Sequence, residues 1–285
     1  MRYCFLRFPL GKLKALTLSY DDGVRADLRM AQVLDRYGIK CTFNINSGRV
    51  GKENKLTVDE IRTHLLDKGH EIAVHGENHL APGAVESCRF IGDVYNCRRS
   101  MEEMFGLIIR GMAYPDSGIT KMHSNNDYET IRTNLKSLGI DYARTLGGDN
   151  NKFMLPTDFY AWLPTAHHKN PAIMEYVRQF LEIRDENLRS AGRYPRLFYL
   201  WGHSYEFDKD DNWDLLEAFC EAVSGQNDIW YATNMEIYNY VCAWRSLITS
   251  ADGKQVYNPT LIDVWMDVDG VLYSIPSGVT VCIEE

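Results

Sequence analysis

The chain has 285 residues, 45% of them hydrophobic and 25% charged, and its 39 acidic residues outnumber 31 lysines and arginines for a formal net charge of -8. That is the composition of a folded globular protein long enough to bury a large core. The negative balance, with no basic cluster to offset it, excludes electrostatic attraction to nucleic acid or to an anionic membrane. The seven cysteines are scattered, odd in number and without C-x-x-C spacing, which favours reduced thiols over a disulfide framework. The opening M-R-Y-C-F-L-R-F-P-L has no apolar stretch of signal length, and no run reaches the length of a membrane span. The expectation is a cytoplasmic protein.

In chain order, Leu16 and Leu18 alternate with Thr17 and Ser19 and predict a short buried strand that ends in Tyr20-Asp21-Asp22-Gly23. Side chains alternate along a strand, so two neighbouring carboxylates share a site only where the strand breaks at them, and Gly23 permits that break. Two ionised carboxylates this close repel, and a bound cation or a guanidinium is the usual remedy; a solvated D-D-G turn is the plainer alternative on this stretch alone. Helical spacing over Val24 to Tyr37 stops at Gly38, and Lys40 to Ile45 reads as a second strand. Thr57 to Leu66 is a helix with Thr57 and Glu60 as a capping box, and Glu71 to Val74 a third strand. Strand and helix in alternation are the grammar of a parallel sheet.

The third strand runs into His75-Gly76-Glu77-Asn78-His79, where Gly76 and the following Leu80-Ala81-Pro82-Gly83 favour a loop over a helix. Both imidazoles then stand at the end of the sheet where Asp22 stands. One carboxylate and two imidazoles suit a borderline divalent ion and leave positions open for water and substrate, the pattern of a catalytic metal site. Zinc is the expected ion, although the set suits several divalent metals.

With S-Y-D-D-G followed by H-G-E-N-H, the chain resembles the polysaccharide deacetylases, the carbohydrate esterases of family four. The resemblance implies an α/β fold, a distorted, incomplete (β/α) barrel of about seven strands over residues 1–250; the alternating pattern at the C-terminus adds a β-hairpin unit over 251–285 packed on it. The resemblance also implies metal-dependent removal of an acetyl group from an N-acetylated sugar, with Asp21 as general base and Asp22, His75 and His79 as metal ligands.

Beyond a helix from Val85 to Phe105 and a strand from Leu107 to Ala113, Tyr114-Pro115-Asp116-Ser117-Gly118 is similar to the family's third motif, a wall of the site. Tyr114 and Asp116 are accordingly supporting or substrate-binding candidates. Where the family has an arginine just before this turn, paired with the catalytic aspartate, this chain has Ala113. Arg110 faces the other side of an extended strand. A helix over Tyr128 to Leu138 and a strand over Ile140 to Ala143 lead to Arg144 at the ligand end of the sheet. Arg144 either supplies the missing guanidinium or is a solvated loop arginine.

The segment L-P-T-D-F-Y-A-W-L-P-T-A-H-H resembles the fourth motif, and makes Asp158 and Trp162 the nearest matches to the residues that support the catalytic histidine and line the cleft. His167 and His168 are polar groups nearby, and either serves equally well as a structural residue. A helix over Pro171 to Ser190 precedes the apolar strand Leu197 to Trp201, of the kind buried in a parallel sheet. At its end His203 fills the place of the fifth motif's histidine, and the resemblance makes it the general acid. Trp213 to Val223 is a helix, Ile229 to Ala232 a strand and Asn234 to Leu247 a last helix. Val264 to Ile275 then alternates around Asp269-Gly270, a hairpin signal, and Val279 to Ile283 joins it. The expected function is hydrolysis of a linear amide on a carbohydrate. The alternatives are an O-acetyl esterase and a sugar-binding protein that has lost activity, for which Ala113 is the ground.

Overall fold

The computed structural model describes residues 3–283. Strand β1 (Cys4–Arg7) is followed by β2 (Lys14–Asp21), α1 (Ala26–Tyr37), β3 (Thr42–Ile45), α2 (Val58–His64), β4 (Glu71–Val74), α3 (Ser87–Phe105), β5 (Gly111–Ala113), α4 (Tyr128–Ser137) and β6 (Tyr142–Arg144). The chain continues through β7 (Ala166–His167), α5 (Ile173–Glu182), β8 (Arg196–Gly202), α6 (Tyr205–Lys209), α7 (Trp213–Val223), β9 (Ile229–Tyr231) and α8 (Asn234–Arg245). It ends with β10 (Ile248–Thr249), β11 (Gln255–Tyr257), β12 (Val264–Val268), β13 (Val271–Ile275) and β14 (Thr280–Cys282).

The main sheet is parallel, in the order β6-β5-β4-β3-β2-β8-β7, with β9 also on β2. On one edge β2 keeps β8 along nearly its whole length. On the other it meets β9 at Lys14–Leu16 and β3 at Ser19–Asp21, so it changes neighbour midway. At the far side Trp162 N donates to Ala143 O (3.1 Å) and Thr145 N to Trp162 O (3.0 Å), while β7, a few residues on, pairs with β8. The stretch from Trp162 to His167 thus joins β6 to β8 and curls the sheet into the distorted, incomplete (β/α) barrel that the resemblance implied.

Alternation along these strands sorts the side chains. Leu16, Leu18 and Tyr20 of β2, Phe198 and Leu200 of β8, Met112 of β5 and Ala143 of β6 face the helices in one apolar core. The intervening residues Thr17, Ser19, Asp21, Asn44, Tyr199 and Arg144 are buried on the inner face, where they bond to one another. The functional residues named from the sequence on β2 and β6 belong to this inner set.

Helix ends follow their local chemistry. Gly38 takes the left-handed conformation (φ 64°) that stops α1, and Thr57 with Glu60 and Thr233 with Glu236 form capping boxes on α2 and α8. Helix α5 ends at Glu182 and not at Ser190, because Asp185 is drawn away to Arg7 and Arg193. The C-terminal strands also differ from expectation. The β12–β13 hairpin forms as predicted, but its other neighbour is the N-terminal β1, and β14 pairs with β11 in a separate small sheet with β10.

A buried ion-pair ring holds the two ends together. Asp267 Oδ2 accepts from Arg7 Nη2 and from Arg193 Nη2, each at 2.9 Å, and both arginines also reach Asp185 at 2.8 Å. Burial works to raise the Asp267 carboxyl, but hydrogen bonds from Arg193 and Arg7 outweigh it and hold it below its ordinary range. Removing one partner of a buried pair strands the other. Asp267→Asn is therefore expected to lower unfolding free energy by about 3 kcal/mol at neutral pH. Because the folded carboxyl titrates below the unfolded one, this stability is complete above about pH 5 and drains away as the pH falls below about 4. Chemical denaturation at pH 7 and pH 3 should show the variant's deficit shrinking with acid.

Candidate active site

The strand carrying the two aspartates breaks between them. Asp21 is the last residue of β2, and Asp22 (φ 84°) and Gly23 (φ 59°) turn the backbone through the left-handed region. Asp22 N donates to Asn44 O (2.9 Å), and Lys55 Nζ donates to Asp22 O (2.8 Å), so the unusual turn is held from both sides. Asp21 points inside the barrel and Asp22 toward its mouth. Asp22 Oδ1 is buried and finds no hydrogen-bond partner among the described residues.

The histidine loop is built with equal care. His75 follows β4, and its Nδ1 lies 2.9 Å from Ala113 O. A carbonyl only accepts, so Nδ1 carries the proton and Nε2 is left with a free lone pair. Gly76 (φ 75°) lets the chain turn where any Cβ would lie 2.2 Å from Asp93 Oδ2. The buried Asp93 of α3 then accepts from Asn78 N (2.7 Å) and Leu80 N (3.2 Å), which fixes His79 between them in a left-handed conformation (φ 63°). His79 Nε2 arrives 3.1 Å from His75 Nε2 and 3.9 Å from Asp22 Oδ1, and its Nδ1 stands 3.6 Å from Asp116.

One donor atom from each of Asp22, His75 and His79 lies within 4.8 Å of the other two. An unpartnered carboxylate oxygen and a lone pair freed by a backbone carbonyl face each other across this gap. The set fits a divalent ion, with Ala113 O as the outer group that orients His75 and with the Asp116 carboxylate near His79.

Beside this cluster Asp21 is wholly engaged. Asn44 Nδ2 donates to its Oδ1 (2.8 Å), and Arg144 Nη2 to its Oδ2 (2.5 Å). Burial raises the Asp21 carboxyl, yet the charge of Arg144 beside it leads the interactions that more than reverse this, and it lies below its ordinary range. Arg144 is 0% exposed, with its guanidinium carbon 4.3 Å from the centre of the Trp201 ring. Ala113 and Arg144 are partners in the register of β5 and β6, so the guanidinium enters one strand over and at the same level as the position that holds alanine.

His203 comes in from the end of β8. Its Nε2 is 4.0 Å from Asp21 Oδ2, and its Nδ1 is 3.4 Å from Glu206 at the start of α6. Burial lowers the His203 pKa, but Glu206 and the aspartates outweigh it and raise it above the ordinary value, so the imidazolium persists toward neutrality. For Glu206, burial is more than reversed by His167 and His203, and its carboxyl stays ionised.

Three residues named from the sequence lie away from this mouth. Tyr114 is buried with its hydroxyl on Tyr160 O (2.8 Å). Asp158 caps the turn at Phe159–Ala161 through Tyr160 N and accepts from Tyr128, on the outer flank. Trp162 is fully buried among Tyr142, Phe159 and Tyr199, a core residue and not a cleft wall. The place opposite His203 belongs to Glu206 instead. Sequence reading passed over Glu206, Asn44 and Asp93. Only Glu206 had a signal, its spacing three residues after His203 on a turn that opens a helix.

Residues 11–143 match the family model described as Polysaccharide deacetylase. No curated protein sequence matches the chain. Among solved structures, a polysaccharide deacetylase assigned in Mycobacterium smegmatis is 19% identical with a TM-score of 0.57, covering 84% of this chain and 94% of its own. Puue Allantoinase is 13% identical with a TM-score of 0.58, covering 81% and 91%. A polysaccharide deacetylase assigned in Pseudomonas aeruginosa PAO1 is 13% identical with a TM-score of 0.55, covering 79% and 89%. At these identities the likeness speaks for the fold. Over its first five parallel strands the chain is thus similar to the polysaccharide deacetylases, and beyond them it shares their fold.

Proposed function

We propose that this chain is a metal-dependent hydrolase that removes acetyl groups from an N-acetylated carbohydrate. The single observation that carries the reading is the convergence of the Asp22, His75 and His79 donor atoms within 4.8 Å of one another, beside Asp21 and His203. A divalent ion held by those three residues, zinc by the character of the donors, would supply Lewis-acid polarisation of the acetyl carbonyl and make water a better nucleophile at neutral pH.

The chain's own residues supply the rest. Asp21 takes the proton of the attacking water, and its orientation is set by Asn44 on one oxygen and Arg144 on the other. His203 gives its Nε2 proton to the departing nitrogen, and Glu206 stabilises the imidazolium from the Nδ1 side. An amine leaves poorly unless protonated, whereas an alkoxide of a sugar needs less help. An acid raised above its ordinary pKa therefore favours N-acetyl over O-acetyl substrates. The sugar-binding alternative rested on Ala113, and Arg144 restores the guanidinium that Ala113 lacks.

Acetate release from chitooligosaccharides tests the reading. Chelation should abolish it and a stoichiometric divalent ion restore it, while release from acetylated xylan stays weaker; turnover that survives chelation would overturn the metal dependence. Asp21→Asn should retain the metal and lose about 10²-fold or more in turnover. Loss of the metal in this variant, with retention in Asp22→Asn, would reverse the two roles. Arg144→Ala should lower kcat about 10²-fold through a misplaced base, with metal content unchanged. Arg144→Lys should not recover it, because a compact, strongly hydrated ammonium cannot lie flat on the Trp201 ring while it meets Asp21.

A further inference from the structure

We propose that His167, His203 and Glu206 form a second divalent-cation site, distinct from the Asp22, His75 and His79 cluster, whose occupation silences His203. One donor atom of each lies within 4.8 Å of the other two. Two neighbouring strands bring them together: β7 ends in His167, and β8 leads directly to His203, with Glu206 one turn further on.

The centre of the cluster is a single oxygen. Around Glu206 Oε2 stand His167 Nε2 at 3.2 Å, His203 N at 3.3 Å, His203 Nδ1 at 3.4 Å and His168 Nε2 at 3.5 Å. An imidazolium that simply paired with this carboxylate would close to about 2.7–2.9 Å, and none does. Donor atoms that each sit about 2.0–2.1 Å from a tetrahedral zinc stand about 3.3 Å from one another, which is close to the separation of each imidazole from Glu206 Oε2.

His168 provides the independent observation. It is 2% exposed, neither of its ring nitrogens has a hydrogen-bond partner among the described residues, and Nε2 faces the same carboxylate. Its buried, unpartnered ring thus has a nitrogen to offer a cation held on Glu206 Oε2. Gly202 makes room for it, since a Cβ there would lie 2.0 Å from His168 Nδ1. The nearest cation is Lys169, whose Nζ is 3.7 Å from the other oxygen of Glu206 but 2.7 Å from Asp210, so Oε2 is left to the imidazoles.

The functional half of this inference rests on His203 being the general acid. His203 turns Nε2 to Asp21 and Nδ1 to Glu206, so one ring belongs to both sites. A cation on Nδ1 expels the proton there. The imidazole that remains holds its Nε2 proton far too tightly to give it to a leaving amine, and turnover stops while the first site stays filled.

Zinc titration of the metal-free protein, with bound metal counted after removal of free ions, tests it. Wild type should bind two equivalents, a tight one and a weaker one, and lose activity as the weaker fills. His167→Ala, or His167→Asn should the first variant fold poorly, should bind one equivalent and show no inhibition by excess zinc. Asp22→Asn should lose the tight equivalent and keep the weaker. A wild type that saturates at one equivalent, or a weaker equivalent that persists in the His167 variant, overturns the second site. Filling of the weaker equivalent without inhibition overturns the silencing. Retention of the tight equivalent in Asp22→Asn counts against the first site alone.

Discussion

A carboxylate placed in the wall of a barrel loses its water, and the idealised cost of that transfer is far larger than the whole stability of a domain. Asp21 is in this position, and the open end of the sheet is arranged around the Arg144 guanidinium that compensates it. An arginine suits such a place because its diffuse charge is weakly hydrated and can lie flat on an aromatic face, here that of Trp201. The guanidinium reaches the carboxylate from the strand beside Ala113, at the level of that residue. What has to be preserved is the level of the charge above the carboxylate, and the register of β5 on β6 preserves it.

The same barrel separates two chemistries by the alternation of its strands. Outward residues are apolar and meet the helices, whereas the inner face carries Thr17, Ser19, Asn44, Asn234 and Tyr199, linked by hydrogen bonds toward Asp21. Such a lining locks the orientation of the carboxylate more firmly than solvent contact would, since each polar group inside must keep its partner. It also explains why the residues at the mouth come from the ends of different strands: only inward positions at the final turn of each strand see one another.

Much of this was legible in sequence because its signals are local. The break at Asp21-Asp22-Gly23, the stop at Gly38, the capping box of Thr57 and the Asp269-Gly270 turn each lie within a few residues, and their chemistry fixes the backbone there. Trp162 and Asp158 were misread for one reason. An aromatic and an acid in a loop look the same whether they face a cleft or a core, and only the packing against Tyr142, Phe159 and Tyr199 decides it. Asp93 sits inside a long amphipathic helix, where an acid ordinarily means a solvated face, yet its carboxylate shapes the histidine loop. The strand β1 escaped notice because four residues carry little pattern of their own and their partner is at the opposite end of the chain.

That pairing of opposite ends bears on how the molecule is made. Residues Cys4–Arg7 leave the ribosome some 260 residues before the strand they pair with, Val264–Val268. For most of synthesis the leading segment has no neighbour, while the parallel sheet can assemble strand by strand behind it. Seating of the hairpin on the earlier strand is thus a late clasp, closed after the working end of the barrel already has its parts.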